Sequence, residues 1–327
     1  CWLVIPPQRS QGQGSYLGEP PMTPFRGIAL KLMSVFLFAI MASCIKAAAS
    51  HVPAGQAVFF RSFFAMPVIL LWLAQRGDLR TGLQVQNPMG HFWRGFVGTA
   101  AMALGFAGLG LLPLPEVTAI GYVAPLLTVV FAAMFLGEQV RLFRMSAVGL
   151  GMVGVMIVLY PRLTIFDGAD PYSMATLGVM FVLGSAVFRA LAQIHIRKLV
   201  QTDQTSAIVF YFSLTATLLS LLTLPLGWVI PTWQEVALLV TAGIVGGVAQ
   251  IFLTTAYRFA PASVVAPFDY ASIIFAIVIG YTVFGEIPPF AMLCGTSLII
   301  LAGILIIWRE RQLGLARGAR QTLTPQG

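Results

Sequence analysis

Residues 112–138 read LPLPEVTAIGYVAPLLTVVFAAMFLGE, and residues 260–286 read APASVVAPFDYASIIFAIVIGYTVFGE. Sliding the chain along itself by 148 residues lays Pro113 on Pro261, Tyr122 on Tyr270 and Gly137-Glu138 on Gly285-Glu286. The same shift lays Gly95 on Gly243 and Gly98 on Gly246, without a gap. A shift of 150 then aligns Val58-Phe59-Phe60 with Ile208-Val209-Phe210 and sets Arg61 opposite Tyr211. An internal repeat of this kind governs the assignment of every element around it.

Composition fixes the solvent. The 327 residues are 58% hydrophobic and 9% charged, whereas soluble domains carry roughly a quarter charged residues, so a water-soluble surface of this size cannot be built. Apolar runs of about 20 residues, enough to cross ~30 Å of hydrocarbon at 1.5 Å per residue, recur along the chain. Ten are predicted, at 27–49, 54–75, 93–112, 117–136, 145–160, 173–196, 205–226, 235–257, 262–284 and 289–308. The fifth is short and spans only if nearly upright or helped by interfacial flanks.

The net charge of +8 would suggest nucleic acid in a soluble chain, but here the positions of Lys and Arg matter. With the N-terminus inside, fifteen of the 19 basic residues fall in cytoplasmic segments, Lys31 and Arg94 among them. Arg162 alone falls in an external loop, and Lys46, Arg61 and Arg189 fall inside spans. The basic balance is therefore topological, no nucleic-acid partner is expected, and both termini face the cytoplasm. Each half of the repeat holds five spans, and because five is odd the halves enter the membrane from opposite sides. Arg141 and Arg144 follow Gly137-Glu138, whereas Ile287-Pro288-Pro289-Phe290 follows Gly285-Glu286 with no basic residue. The fold expected is an all-α polytopic membrane protein of ten transmembrane helices in two inverted five-helix repeats, a build common among secondary transporters. The repeats span 25–162 and 170–310, between a disordered extension at 1–24 and a disordered cytoplasmic tail at 311–327; Met22 is a plausible natural start.

Two five-helix repeats, each with a Pro-bearing connection into a penultimate helix ending in Gly-Glu, resemble the drug/metabolite transporter superfamily, EamA-like branch. Lys46 at the end of the first span and Arg61 in the second also match that pattern, and the resemblance covers residues ~25–310. It implies that spans one to four and six to nine line a central cavity, while five and ten serve as scaffold or as contacts of a homodimer. It says little about cargo, since related members are held to move amino acids, vitamins, nucleotide-like metabolites and drugs. The second repeat departs from the first in carrying Asp269-Tyr270 where the first has Gly121-Tyr122, so its cavity face is expected to be the more polar.

One motif points elsewhere. Gly149-Leu150-Gly151-Met152-Val153-Gly154 has the G-x-G-x-x-G spacing of a dinucleotide-binding turn, which requires a preceding strand and an opening helix. Here it sits inside unbroken apolar sequence, where small residues let helices pack closely in lipid. No nucleotide cofactor is expected. Cys1, Cys44 and Cys294 show no metal spacing, so no metal is expected either.

Candidate substrate-binding residues are the polar groups at depth, because a charge in hydrocarbon costs ~2.5–3.5 kcal/mol on insertion scales. Lys46 near the outer end of its span reads as snorkelling or as a ligand. Arg61 lies deeper and faces a wet cavity or a structural partner. Arg189 and Asp269 both lie about two turns from the cytoplasmic face, so they are expected either to form an ion pair or to act on cargo and protons. Pro125 and Pro267 lack an N–H and leave the Gly121 and Ser263 carbonyls unpaired beside the site. Tyr122, Tyr270 and Tyr211 offer rings and hydroxyls, while Gln193 and Gln250 offer amides. His51, His91 and His195 read as loop or boundary residues.

These observations predict a secondary transporter of the bacterial inner membrane that moves a small polar metabolite such as an amino-acid derivative, vitamin or nucleoside-like solute by alternating access. The absence of an ATP-binding motif leaves facilitated or proton-coupled transport. The rival classes are a membrane-embedded enzyme and a passive channel. The first needs a clustered acid, base or nucleophile set, and the 11 acidic residues are too scattered for a catalytic group.

Overall fold

The computed structural model describes residues 24–79, 82–136, 142–160, 174–199, 202–259 and 266–322. Among these the chain is helical, with no strand. The first half comprises α1 (Pro24–Ala48), α2 (Ala54–Gln75), α3 (Pro88–Leu111), α4 (Leu114–Gly121), α5 (Val123–Leu136) and α6 (Leu142–Leu159). The second comprises α7 (Met174–Leu199), α8 (Thr205–Leu221), α9 (Trp233–Phe259), a 3₁₀ turn at Ala266–Tyr270, α10 (Ala271–Phe284) and α11 (Phe290–Thr322). Among the described residues, seven helical segments are long and apolar enough to cross a membrane, and Met145–Leu159, Ser206–Leu221 and Phe268–Phe284 are shorter apolar helices. Gly137-Glu138, Arg141, Arg162 and the extension before residue 24 lie outside the described residues.

Local chemistry explains the ends and breaks. Asn87 accepts from the Gly90 N–H at 2.9 Å and Pro88 occupies the first turn, so α3 starts there. The predicted span 117–136 is not one helix. It breaks at Tyr122, three residues before Pro125, whose missing N–H cannot take up the Gly121 carbonyl. The equivalent break in the other half is the 3₁₀ turn ending at Tyr270. Gly285 closes α10 with φ of 66°, a left-handed cap available to glycine at little cost, and the Glu286 N–H turns back onto the Gly280 carbonyl at 2.8 Å. The last helix runs to Thr322, past residue 311 where the sequence suggests disorder.

α1 packs along α9 and α3 along α7; α2 meets α8 and α9, and α3 meets α8. α5 lies on α7 and α1 on α10, while α4 meets α10 and α6 meets α11. Exchanging the helices of one half for those of the other returns these pairings between the halves, although within the first half α2 also packs on α3 with no counterpart of that extent between α8 and α9. GLGMVG lies on the α6–α11 seam: a Cβ at Gly154 would sit 2.6 Å from the Gly295 carbonyl oxygen, and one at Gly295 2.5 Å from that of Gly154. Gly151 faces Leu126 and Ala302, whereas Gly149 faces open space. The motif is a packing surface in the middle of a helix.

Polar contacts pin both ends of the bundle. At the near face, where α1 begins, His91 Nε2 is 3.3 Å from Asp203 Oδ2, the Gln86 N–H donates to Asp203 Oδ1 at 2.6 Å, and Ser206 donates to the Gly82 carbonyl at 2.7 Å. At the far face, His51 lies 3.1 Å from Glu235 and the Gln56 amide donates to the Val229 carbonyl at 2.9 Å. His51 and His91 are thus ends of interhelix contacts, although the sequence gives them no role.

Candidate solute-binding site

Between the two pinned faces lie the buried charges. Lys31 stands seven residues into α1, ~10 Å from its start at 1.5 Å per residue, and is fully buried. Its Nζ is 2.6 Å from Asp269 Oδ1. Asp269 sits in the 3₁₀ turn before α10, and its other oxygen, Oδ2, is buried without a hydrogen-bond donor. The partner of Asp269 is therefore Lys31 and not Arg189. Arg189, on α7, donates to Ser185 Oγ at 3.1 Å, and Ser185 donates to the Ala101 carbonyl of α3 at 2.6 Å. A Cβ at Gly121 would lie 3.4 Å from its guanidinium. Arg189 is nevertheless solvent-exposed, so it borders open space while reaching toward α3 and α4.

The two tyrosines of the repeat touch. Their rings meet edge to face with centroids 5.1 Å apart, at the break after α4 and the turn before α10. The Tyr122 hydroxyl is 2.5 Å from Ser272 Oγ and donates to the Tyr270 carbonyl at 3.3 Å, and Ser272 donates to the Asp269 carbonyl at 2.8 Å. The Tyr270 hydroxyl fills the space left by Gly303 of α11. Lys31, Asp269, Ser272 and both tyrosines thus form one polar cluster where the two broken spans cross.

A second layer lies between α2, α3, α8 and α9. Arg61 and Arg94 are 7% and 3% exposed, and both guanidinium groups lie against the ring of Phe212, at 5.9 and 4.0 Å from its centroid. Cation–π contact accounts for part of this placement. Gly98 makes the room for Arg94. A Cβ there would overlap Arg94 Nη1 and lie 2.8 Å from Phe212, whereas a Cβ at its repeat equivalent Gly246 would crowd Met41 Sδ at 2.7 Å and only touch Arg61 Nε, at 3.6 Å. A narrow cavity bordered by Arg61, Ile69, Ser213 and Gln250 opens beside this layer, with room for about one water.

The remaining candidates lie apart from these groups. Lys46 does not snorkel: its Nζ is 2.9 Å from Glu286 and donates to the Leu112 and Leu109 carbonyls at 2.6 and 3.2 Å. Glu286 also accepts from the Leu114 N–H at 2.8 Å, at the positive end of α4. This is a far-face clasp joining α1, α3, α4 and α10. Tyr211 points to the near face, donating to the Leu83 carbonyl at 3.3 Å with its ring edge to face on His91. Gln193 is half-buried one turn along α7 from Arg189. Sequence reasoning takes Lys31 and Arg94 as edge charges and misses them; the signal available is that each lies several residues inside its helix.

With this geometry in place, likeness to known proteins becomes informative. The model of the EamA-like transporter family matches residues 25–160 and, a second time, residues 176–308. The chain belongs to the EamA-like transporter family. Among the relatives of this EamA-like chain, the pseudopaline exporter of Pseudomonas aeruginosa is 30% identical over 86% of this chain and 95% of its own length. The S-adenosylmethionine uptake transporter of Rickettsia prowazekii is 25% identical over 89% and 95%. The riboflavin transporter of Vibrio cholerae is 30% identical over 88% and 95%. A crystal structure covering 88% of this chain superposes with a TM-score of 0.62 at 20% identity, a likeness of fold. The EamA-like chain is a multi-pass membrane protein whose relatives are named transporters.

Proposed function

We propose that this chain is a secondary transporter with ten spans in two inverted five-helix repeats, moving a small polar metabolite across the bacterial inner membrane by alternating access. The observation that carries this reading is that the main helix pairings between the halves survive exchange of the two. A bundle that packs equivalently either way round has two related conformations, one open to each side, and only an exchange between them is needed to move a bound solute. The buried charges at the crossing of the broken spans supply polar ligands at depth, where irregular backbone is tolerated because it lines a cavity. The near face is cytoplasmic in this reading, and the Lys46–Glu286 clasp closes the external side.

Asp269 is the proton carrier in this scheme and Lys31 its counter-charge. Protonation of Asp269 releases Lys31 and frees α1 from the turn before α10, which couples proton entry to the exchange. S-adenosylmethionine and riboflavin, named for two relatives, are the first cargoes to test. The decisive measurement is counterflow in proteoliposomes. A saturable flux stimulated by unlabelled solute on the opposite side is expected, and a linear flux that never saturates would leave a passive channel. Asp269→Asn is expected to retain counterflow while losing accumulation driven by a pH gradient; full pH-driven accumulation in that variant removes Asp269 from the coupling role.

A further inference from the structure

We infer that the cavity between α2, α8 and α9 is a carboxylate subsite, and that Arg61 holds the carboxylate of the transported solute directly. The argument begins with what Arg61 lacks. Its side chain is 93% buried by its 7% exposure, its Nε has no hydrogen-bond acceptor, and among the described residues no carboxylate faces it. Its described contact is the ring of Phe212, and the guanidinium of Arg94 lies on that same ring, adding like charge. A guanidinium carries five N–H donors in a planar fork that matches a carboxylate, and a buried one without an acceptor keeps an unmet electrostatic demand. Of the other basic side chains at depth, Lys31, Lys46 and Arg189 each have a carboxylate or oxygen partner, and Arg94 has contacts of its own besides the Phe212 ring. Arg61 is the cation left available for cargo.

The lining chooses among anions. Around Arg61 the cavity is walled by Ala65, Ile69, Val209 and Phe212, with Ser213 and Gln250 as its polar groups. Arg61 is the one charged side chain that lines the cavity, Arg94 standing at the Phe212 ring outside the lining, so a single negative charge is what the wall balances directly. A phosphate dianion would bring a second charge against apolar side chains, so a carboxylate is the better match. Gly246 and Gly247 of α9 complete the lining. The inference rests on the transporter reading for the identity of the occupant as cargo, but the site can be tested without transport.

The test uses the full chain in detergent. Thermal unfolding of the wild type, Arg61→Gln, Arg61→Lys and the exposed control Arg76→Gln is followed in sodium acetate, benzoate, phosphate and chloride at equal ionic strength. Without carboxylate, Arg61→Gln is expected to melt above the wild type, by ~2 °C or more, because an uncompensated buried charge has been removed. Acetate and benzoate are expected to raise the wild-type midpoint above its value in chloride, to do so less in Arg61→Lys, and not at all in Arg61→Gln. A lower midpoint for Arg61→Gln would show that Arg61 is structural and overturn the inference. So would carboxylate shifts that persist in Arg61→Gln, or shifts in phosphate or chloride as large as those in acetate. Reconstituted protein separates the two readings. Carboxylate shifts with no saturable flux would sink the transporter reading and leave the subsite, whereas saturable flux unchanged in Arg61→Gln would sink the subsite and leave the transporter.

Discussion

Asp269 has one oxygen 2.6 Å from Lys31 and the other without a donor, so the pair is held by a single contact in a setting where an unpaired charge is costly. Removing either partner leaves the other buried, a loss of ~3–5 kcal/mol, while removing both relieves it. Asp269→Asn and Lys31→Gln are each expected to lower the unfolding midpoint, and the double variant to recover beyond the additive sum. Arg189→Gln combined with Asp269→Asn is expected to be additive, and coupling between those two would move the ion pair back to the arginine. The depth of Asp269 was legible in the sequence; its partner was not. Sequence gives how far along a helix a residue lies but not which way it faces, and several cations share that depth. Arg61 stood out because it interrupts an apolar run, whereas Lys31 and Arg94 lie close enough to the ends of their runs to pass for interfacial charges. Helix starts three and five residues earlier than expected, at 24 instead of 27 and at 88 instead of 93, separate those readings.

At the scale of elements, the seam of α6 and α11 gives a graded test. A side chain at Gly154 meets the Gly295 carbonyl, one at Gly151 meets the movable end of Leu126, and one at Gly149 meets nothing within 4 Å. Leucine at 154 is expected to cost the most, ~1–3 kcal/mol or more of overpacking, leucine at 151 less, and leucine at 149 little, as read from folded yield and melting. Equal losses at all three would mean that the glycines are needed for something other than this seam. That G-x-G-x-x-G marks a packing surface was legible from its apolar surroundings. The break at Tyr122 was only half legible, since Pro125 announces an unpaired carbonyl but not whether the helix kinks or stops. The equivalent second-half break, a 3₁₀ turn, shows that the repeat conserves a discontinuity more faithfully than a helix length.

The whole molecule carries its own test of orientation. Ser50 and Asp78 are exposed in the loops after α1 and after α2. In a background without native cysteines, Ser50→Cys is expected to react from outside intact cells with an impermeant maleimide, and Asp78→Cys only after permeabilisation; the reverse would invert the assignment of faces. Opening the far-face clasp should likewise show at a native reporter. Cys44 lies half-buried near Lys46, and with Cys1 and Cys294 replaced by serine, Glu286→Gln is expected to speed its labelling from outside several-fold. An unchanged rate would mean that other contacts keep that side shut.

The meeting of Tyr122 with Tyr270 has a kinetic corollary. They are the same position of the two repeats, and in the alternating-access cycle proposed above a contact between equivalent positions is converted into itself when the halves trade roles. The clasp at Lys46 belongs to one face, so weakening it tilts the balance between conformations. A like change at both tyrosines instead weighs on both conformations alike and alters chiefly the height of the pass between them. Tyr122→Phe and Tyr270→Phe together are therefore expected to change the rate of counterflow while leaving the inside-to-outside labelling ratio of reporter cysteines as it was. The residues at the crossing of the broken spans would then set the tempo of the cycle, and those at its two faces the direction in which it rests.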